Sequence, residues 1–237
     1  MILNRGRDKG VARQFDQELE TLKQNLLRMA AMAEDAVSKS VESVMARNSD
    51  LAREVIIDDI NINRMELAVE DQAFKILALR QPLATDLRLT TAAMRIATEL
   101  ERIGDQGVNI AERALELNSR PPLEVPIDLK VMADITLSMV RTSIEAFVQQ
   151  DPKLAIQVCQ RDVEVDLLDD EYIQRILGYM IQESRWVERL HHFIIVVRNL
   201  ERIADLATNI AEDIVFIVEG RVIKHQCEDW MLSASNP

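Results

Sequence analysis

From Phe15 to Val44, apolar side chains fall at Leu19, Leu22, Leu26, Met29, Met32, Ala33, Ala36, Val37, Val41 and Val44. This is the three-and-four spacing of one helix face, held for about eight turns. Asn48 and Ser49 interrupt the pattern, and a second helical stretch is expected from about Asp50 to Leu79, ended by Pro82. Thr85 or Asp86 is expected to cap a third helix, whose apolar face runs through Leu89, Met94, Ile96, Leu100, Ile103, Ile110 and Leu115 to about Asn118. Residues 119–126 then hold three of the chain's six prolines, Pro121, Pro122 and Pro126, and read as a stiff connector. The pattern restarts with a fourth helix from Asp128 to Gln149 and a fifth opened by Asp151 and Pro152. A sixth is expected from Arg185 to Glu219, closed by Gly220. Residues 221–237 are expected to be a frayed or partner-dependent tail.

The thirteen residues Leu100-Glu101-Arg102-Ile103-Gly104-Asp105-Gln106-Gly107-Val108-Asn109-Ile110-Ala111-Glu112 recur at Leu200 to Glu212, with nine positions identical. A repeat of this kind means the same unit occurs twice. With three helices per half and short connections, the expected fold is all-α: two tandem three-helix bundles related by internal duplication. The first bundle spans residues 1–119, the connector 120–126, the second bundle 127–220 and the tail 221–237.

Only six glycines, few aromatics (4%) and 29% charged residues agree with long amphipathic helices. The net charge of −12 repels phosphate backbones, and no Lys/Arg-rich run offers a local exception, which argues against nucleic acid as a partner. The longest apolar runs, Phe193 to Val197 and Ile214 to Val218, are too short to cross a bilayer. Met1 to Arg13 lacks the apolar core of a signal peptide. A soluble, cytoplasmic protein is expected. Cys159 and Cys227 form neither a disulfide framework nor a zinc spacing and are expected to be incidental thiols.

Within the repeat, Asp105 lies roughly 40°, Asn109 roughly 80° and Glu112 roughly 20° from Glu101 around the helix. Leu100, Ile103 and Ile110 face away. One explanation of this stripe is an ordinary solvated face with surface ion pairs to Arg102 or Arg113. The other starts from its identity in both copies, although stacking Glu101 over Asp105 costs helix stability through like-charge repulsion. A second acidic pattern precedes it in each half: Asp59, Asn63 and Glu66, then Asp162, Asp166 and Asp169. If the second and third helices of each half are antiparallel, carboxylates from both converge. Clustered oxygen ligands suit hard cations such as Mg²⁺, Mn²⁺, Ca²⁺ or iron, and the absence of His and Cys from the stripe disfavours zinc. Metal binding and surface ion-pair networks both remain open on these grounds. Glu188 and His191 make one Glu-x-x-His, but Arg88 and Thr91 stand at the equivalent places in the first half, so a di-iron bundle is not supported. No Ser or Cys sits in a nucleophile context and no glycine-rich phosphate loop exists, so an enzyme is not expected.

Arg80-Gln81-Pro82-Leu83-Ala84-Thr85-Asp86-Leu87-Arg88-Leu89, followed by Leu100 to Asp105 and its copy at Leu200 to Asp205, resembles the PhoU family of phosphate-signalling regulators over roughly residues 13 to 225. The resemblance implies a negative regulator of the phosphate-starvation response and of phosphate uptake. Such a protein couples a high-affinity phosphate transporter, through its ATPase subunit, to a membrane sensor histidine kinase, and self-associates as a homodimer. It meets the membrane only through these protein partners. The resemblance also implies metal binding, by iron, Mg or Mn, through Glu101, Asp105, Glu201 and Asp205, with Asp59, Asn63, Asp162 and Asp166 as the facing set. Asn63 departs from a strict acidic pair, which makes the first-half site less anionic. The alternative function is a metal-binding, iron storage or redox bundle.

Overall fold

The computed structural model describes residues 5–125 and 127–220, with side chains from residue 14. Six α-helices follow one another: α1 (Arg5–Met45), α2 (Ser49–Arg80), α3 (Ala84–Asn118), α4 (Leu129–Gln149), α5 (Pro152–Gln182) and α6 (Val187–Glu219). No strand occurs among the described residues. Helices α1 to α3 pack into one three-helix bundle and α4 to α6 into another.

The apolar stripes do what their spacing requires. Leu22, Leu26, Met29, Ala33, Val37, Val41 and Val44 of α1 are buried, as are Leu89, Ile96, Leu100, Ile103 and Ile110 of α3. Asn48 caps α2 by accepting from the Asp50 and Leu51 N–H groups at 3.1 Å. Asp128 and Asp151 cap α4 and α5 in the same way, with Pro152 in the first turn of α5. Gly220 ends α6 in the left-handed region at φ 69°.

Four expectations need correction. The N-cap of α3 is Leu83, with no side-chain hydrogen bond. The chain enters this helix through Ala84 at φ 46°, so Thr85 and Asp86 already lie in the first turn. Helix α6 starts at Val187 rather than Arg185, because Ser184–Trp186 form a 3₁₀ turn. Helix α1 begins at Arg5, its charged first turns continuing the helix ahead of the apolar stripe. Cys159 is disulfide-bonded and not an incidental thiol. Cys227 and the tail expected at 221–237 lie outside the described residues.

The two bundles share one apolar core, joined chiefly where α3 packs on α6 and secondarily where α1 meets α4. Arg95 Nη2 lies 2.7 Å from Asp213 Oδ1, Arg88 Nε donates to the Ile217 carbonyl at 2.9 Å, and Arg120 Nη2 donates to Glu188 Oε1 at 2.5 Å. These pairs fix α3 and α6 as antiparallel and place the two repeated motifs at the same height. Glycines let the first bundle close tightly. A Cβ at Gly107 would stand 3.3 Å from the Ala36 carbonyl carbon, and one at Gly104 2.8 Å from Ile62 Cδ1. Arg47, itself at φ 53°, donates Nη2 to the Leu117 and Asn118 carbonyls at 3.1 Å and also to that of Arg120. It thereby satisfies the open end of α3 just before the connector.

Candidate functional site

In the first half, Val55, Ile62 and Val69 are the buried rungs of α2, and Asp59, Asn63 and Glu66 sit half-buried beside them. On α3, Ile103 and Gly104 are buried, with Glu101 half-buried and Asp105 exposed next to them. Asn63 Nδ2 donates to Asp59 Oδ2 at 3.0 Å. Burial pushes the Glu101 carboxyl up to about 6, and the negative charges of Asp105, Glu66 and Asp59 push the same way, against a smaller pull from Arg102. The Asp105 carboxyl is also raised, by burial and then by Asp59. Both facing helices therefore contribute to one acidic field. Arg102 spends its guanidinium on Glu99 at 3.1 Å, and Thr98 Oγ1 donates to Glu66 Oε1 at 3.0 Å.

The second half repeats the arrangement with one more carboxylate. Asp162 is raised to about 7, by burial first and then by Asp166, Asp205 and Glu201. Glu201 and Asp205 are raised too, burial again leading, with Asp205 and Asp166 respectively as the largest like-charged neighbours. Asp169, whose side chain is only 3% exposed, accepts from Arg198 Nη1 at 2.6 Å. Burial and nearby carboxylates outweigh this cation, so the Asp169 carboxyl is still raised. Asn63 in the first half stands where Asp166 stands in the second, and its amide replaces a repelling charge with a donor.

The structure thus brings Glu101, Asp105, Asp59 and Asn63 together in one half and Glu201, Asp205, Asp162 and Asp166 in the other. Asn109 and Glu112, on the same stripe of α3, are exposed, and Glu112 is occupied by Arg113 at 3.0 Å. The lone Glu-x-x-His leads elsewhere, since Glu188 takes the Arg120 guanidinium. Sequence reasoning missed Arg198, one helical turn before Arg202. Its spacing to Glu201 was visible, but its role depends on how deeply α5 seats Asp169.

The donor set fits a cation. Asp59 Oδ1, Asn63 Oδ1, Asp162 Oδ1 and Asp169 Oδ1 are buried oxygens without a hydrogen-bond partner, and such atoms are costly unless something satisfies them. All are hard oxygen donors among like-charged neighbours. As arranged, no group of three His, Cys, Asp or Glu side chains among the described residues forms a ready metal cage. A small hard ion drawing the facing carboxylates inward, or a guanidinium or ammonium group of another molecule, would relieve the same repulsion.

Comparison with known proteins matches this duplicated framework. The PhoU domain model matches twice, at residues 26–114 and 129–214. The phosphate-specific transport system accessory protein PhoU homolog of Aquifex aeolicus is 38% identical over 209 residues, covering 88% of this chain and 95% of the relative. The Escherichia coli K12 accessory protein PhoU is 32% identical over 218 residues, 92% of this chain and 90% of its own. The crystal structure of PhoU from Pseudomonas aeruginosa superposes with a TM-score of 0.83 at 34% identity, over 87% of this chain and 100% of that one. The phosphate transport system regulatory protein PhoU from Streptococcus pneumoniae gives 0.81 at 28% identity, over 88% and 98%.

Proposed function

Because this chain belongs to the PhoU family, we propose that it is an accessory regulator of phosphate-specific transport and not an enzyme. It restrains phosphate uptake and the phosphate-starvation response as a cytoplasmic adaptor between the ATPase subunit of a phosphate transporter and a sensor histidine kinase. The observation that carries this reading is the pair of acidic helix faces, raised in both halves at the same height in a protein of charge −12. Two facing carboxylate sets with unsatisfied buried oxygens suit contact with cations better than covalent chemistry. No described helix is long and apolar enough to cross a membrane, so membrane partners are reached by docking.

Each acidic face has two uses in this proposal. Asp59, Asn63, Glu101 and Asp105 in one half, and Asp162, Asp166, Glu201 and Asp205 in the other, hold a hard divalent or ferric ion, or they receive a basic surface of a partner. An ion would supply charge neutralisation. The residues themselves set the geometry through α2 against α3 and α5 against α6. Electrostatic docking of this kind is fast and salt-sensitive.

The test is a phosphatase reporter in a strain lacking the gene, complemented by wild type or by the combined Glu101→Ala, Asp105→Ala, Glu201→Ala and Asp205→Ala variant. Loss of repression with helical circular dichroism retained is the expected result. Full repression by the quadruple variant would remove the acidic faces from the function.

A further inference from the structure

Helix α5 carries a second surface that the acidic site does not use. Its outward face presents Val163, Leu167, Asp170, Gln174, Leu177 and Ile181, a spacing of four, three, four, three and four residues. All six lie within roughly 40° of one line on the helix. The four apolar members are solvent-exposed, Leu167 at 66% and Ile181 at 85%. The spacing is that of the seam of a two-stranded coiled coil, apolar at both ends and polar in the middle, where polar seam residues set register.

Gly178 sits on the edge of the same face. A Cβ placed there would meet no other atom of the described residues within 4 Å, so no packing contact among them calls for glycine at this point, and helix interiors disfavour it. Glycine there leaves room for a backbone approaching from outside. The charge around the seam identifies the visitor. Glu164, Asp170 and Glu171 are exposed along it, and the one exposed cation within 163–181, Arg175, is bound to Glu171. The corresponding stripe on α2, with Ile57, Ile60, Leu67 and Phe74, carries three exposed cations, of which Arg53 is bound to Asp50 and Lys75 to Asp71, while Arg64 stands on α2 with no counterpart on the α5 seam. A second copy of this chain would bring a further −12 against the α5 face.

We propose that the outer face of α5 docks a basic amphipathic helix of a partner protein, its apolar residues seated along Val163, Leu167, Leu177 and Ile181 and its cations facing Asp170 and the flanking carboxylates. The proposal rests on the adaptor reading, for which it supplies one contact surface.

Two fluorescently labelled helical peptides with identical Leu seams, one flanked by Lys and Arg and the other by Glu, are titrated with the full chain by anisotropy. The basic peptide is expected to bind at least about tenfold more tightly, and the preference to shrink as salt rises. Leu167→Glu with Ile181→Glu should abolish this binding and lower repression in the reporter strain with helicity unchanged. Ile57→Glu with Leu67→Glu on α2 should leave binding of the basic peptide within about twofold, as expected for a distant, independent site.

Equal affinity for both peptides, or binding indifferent to the α5 substitutions, overturns the proposal. So does self-association that the same substitutions remove, which would make a second copy the occupant. Binding seen only after residues 221–237 are deleted would make the tail the occupant and overturn it likewise. If the basic peptide binds as expected while the wild-type gene fails to restore repression, the adaptor reading fails and the seam stands.

Discussion

Asp162→Asn tests the acidic field where it is strongest. Asp162 sits among Asp166, Glu201 and Asp205, and burial with their charge lifts its carboxyl from the usual 3.8 to about 7. A carboxyl raised on folding costs nothing at about pH 2, where both folded and unfolded chains are protonated. The cost grows as the unfolded chain ionises and the folded one does not, and it is complete above about pH 7. At about 1.4 kcal/mol per pH unit the interval from 3.8 to about 7 sets a ceiling of about 4 kcal/mol. Sharing of the titration with three neighbouring carboxylates and partial solvent access reduce this to about 2 kcal/mol. In chelator, Asp162→Asn should therefore stabilise the protein by about 2 kcal/mol at about pH 8 and by less than about 1 kcal/mol at about pH 5. Urea denaturation followed by circular dichroism reads this as a midpoint raised by about 0.7 M at the higher pH, for a slope of about 3 kcal/mol/M. Adding Mn²⁺ should favour the wild type if the carboxylates hold an ion, because binding to the native state adds to its stability. A variant no more stable than wild type at the higher pH, or a difference that does not change with pH, would refute the reasoning.

Arg198→Ala leaves Asp169 buried without its cation and is expected to cost about 3 kcal/mol near pH 8, falling as acid protonates the carboxyl. Parallel urea curves at two pH values check the trend, and an equal loss at both would contradict it. In the first bundle, Gly104→Ala should stay within about 1 kcal/mol of wild type, because the flexible tip of Ile62 yields and alanine favours helix. Gly107→Val pushes against the α1 backbone at Ala36 and Val37 and should cost about 2 kcal/mol, read as a lower melting temperature. Equal melting temperatures for these two variants would show that the α1–α3 contact is looser than described.

The helices were legible because each buries one stripe and advertises it at three-and-four spacing. Leu100, Ile103 and Ile110, with their copies Leu200, Ile203 and Ile210, are all fully buried, and the residues opposite them carry the acidic field. The facing acids of α2 and α5 were legible for the same reason, since antiparallel neighbours in a short-looped bundle turn these faces toward each other. What periodicity could not reach were contacts made across the chain. Arg47 reaching α3, Arg198 holding Asp169 and the α3–α6 packing depend on where helices sit, and no local spacing encodes that. Helix starts also slipped where backbone geometry overrode side-chain preference, as at Ala84. Asn109 and Glu112 share the stripe yet are exposed, and Glu112 pairs with Arg113, so a common stripe on one helix does not by itself place its residues in one site.

The antiparallel register of α3 on α6 has a consequence for the origin and the assembly of the chain. Arg120 meets Glu188 at one end of the α3–α6 contact, and Arg88, which stands in the first half where Glu188 stands in the second, meets the end of α6 at Ile217 at the other, the pattern of an isologous contact, in which one surface meets its own copy about a two-fold axis. The molecule has the form of a homodimer of three-helix subunits fused end to end. The connector at 119–126 then joins halves that the interface already holds, and a break there should yield two fragments that reassemble by complementation. Either half expressed alone bares the face of α3 or α6 that its sibling covers, and it is expected to find that sibling's likeness in another copy of itself.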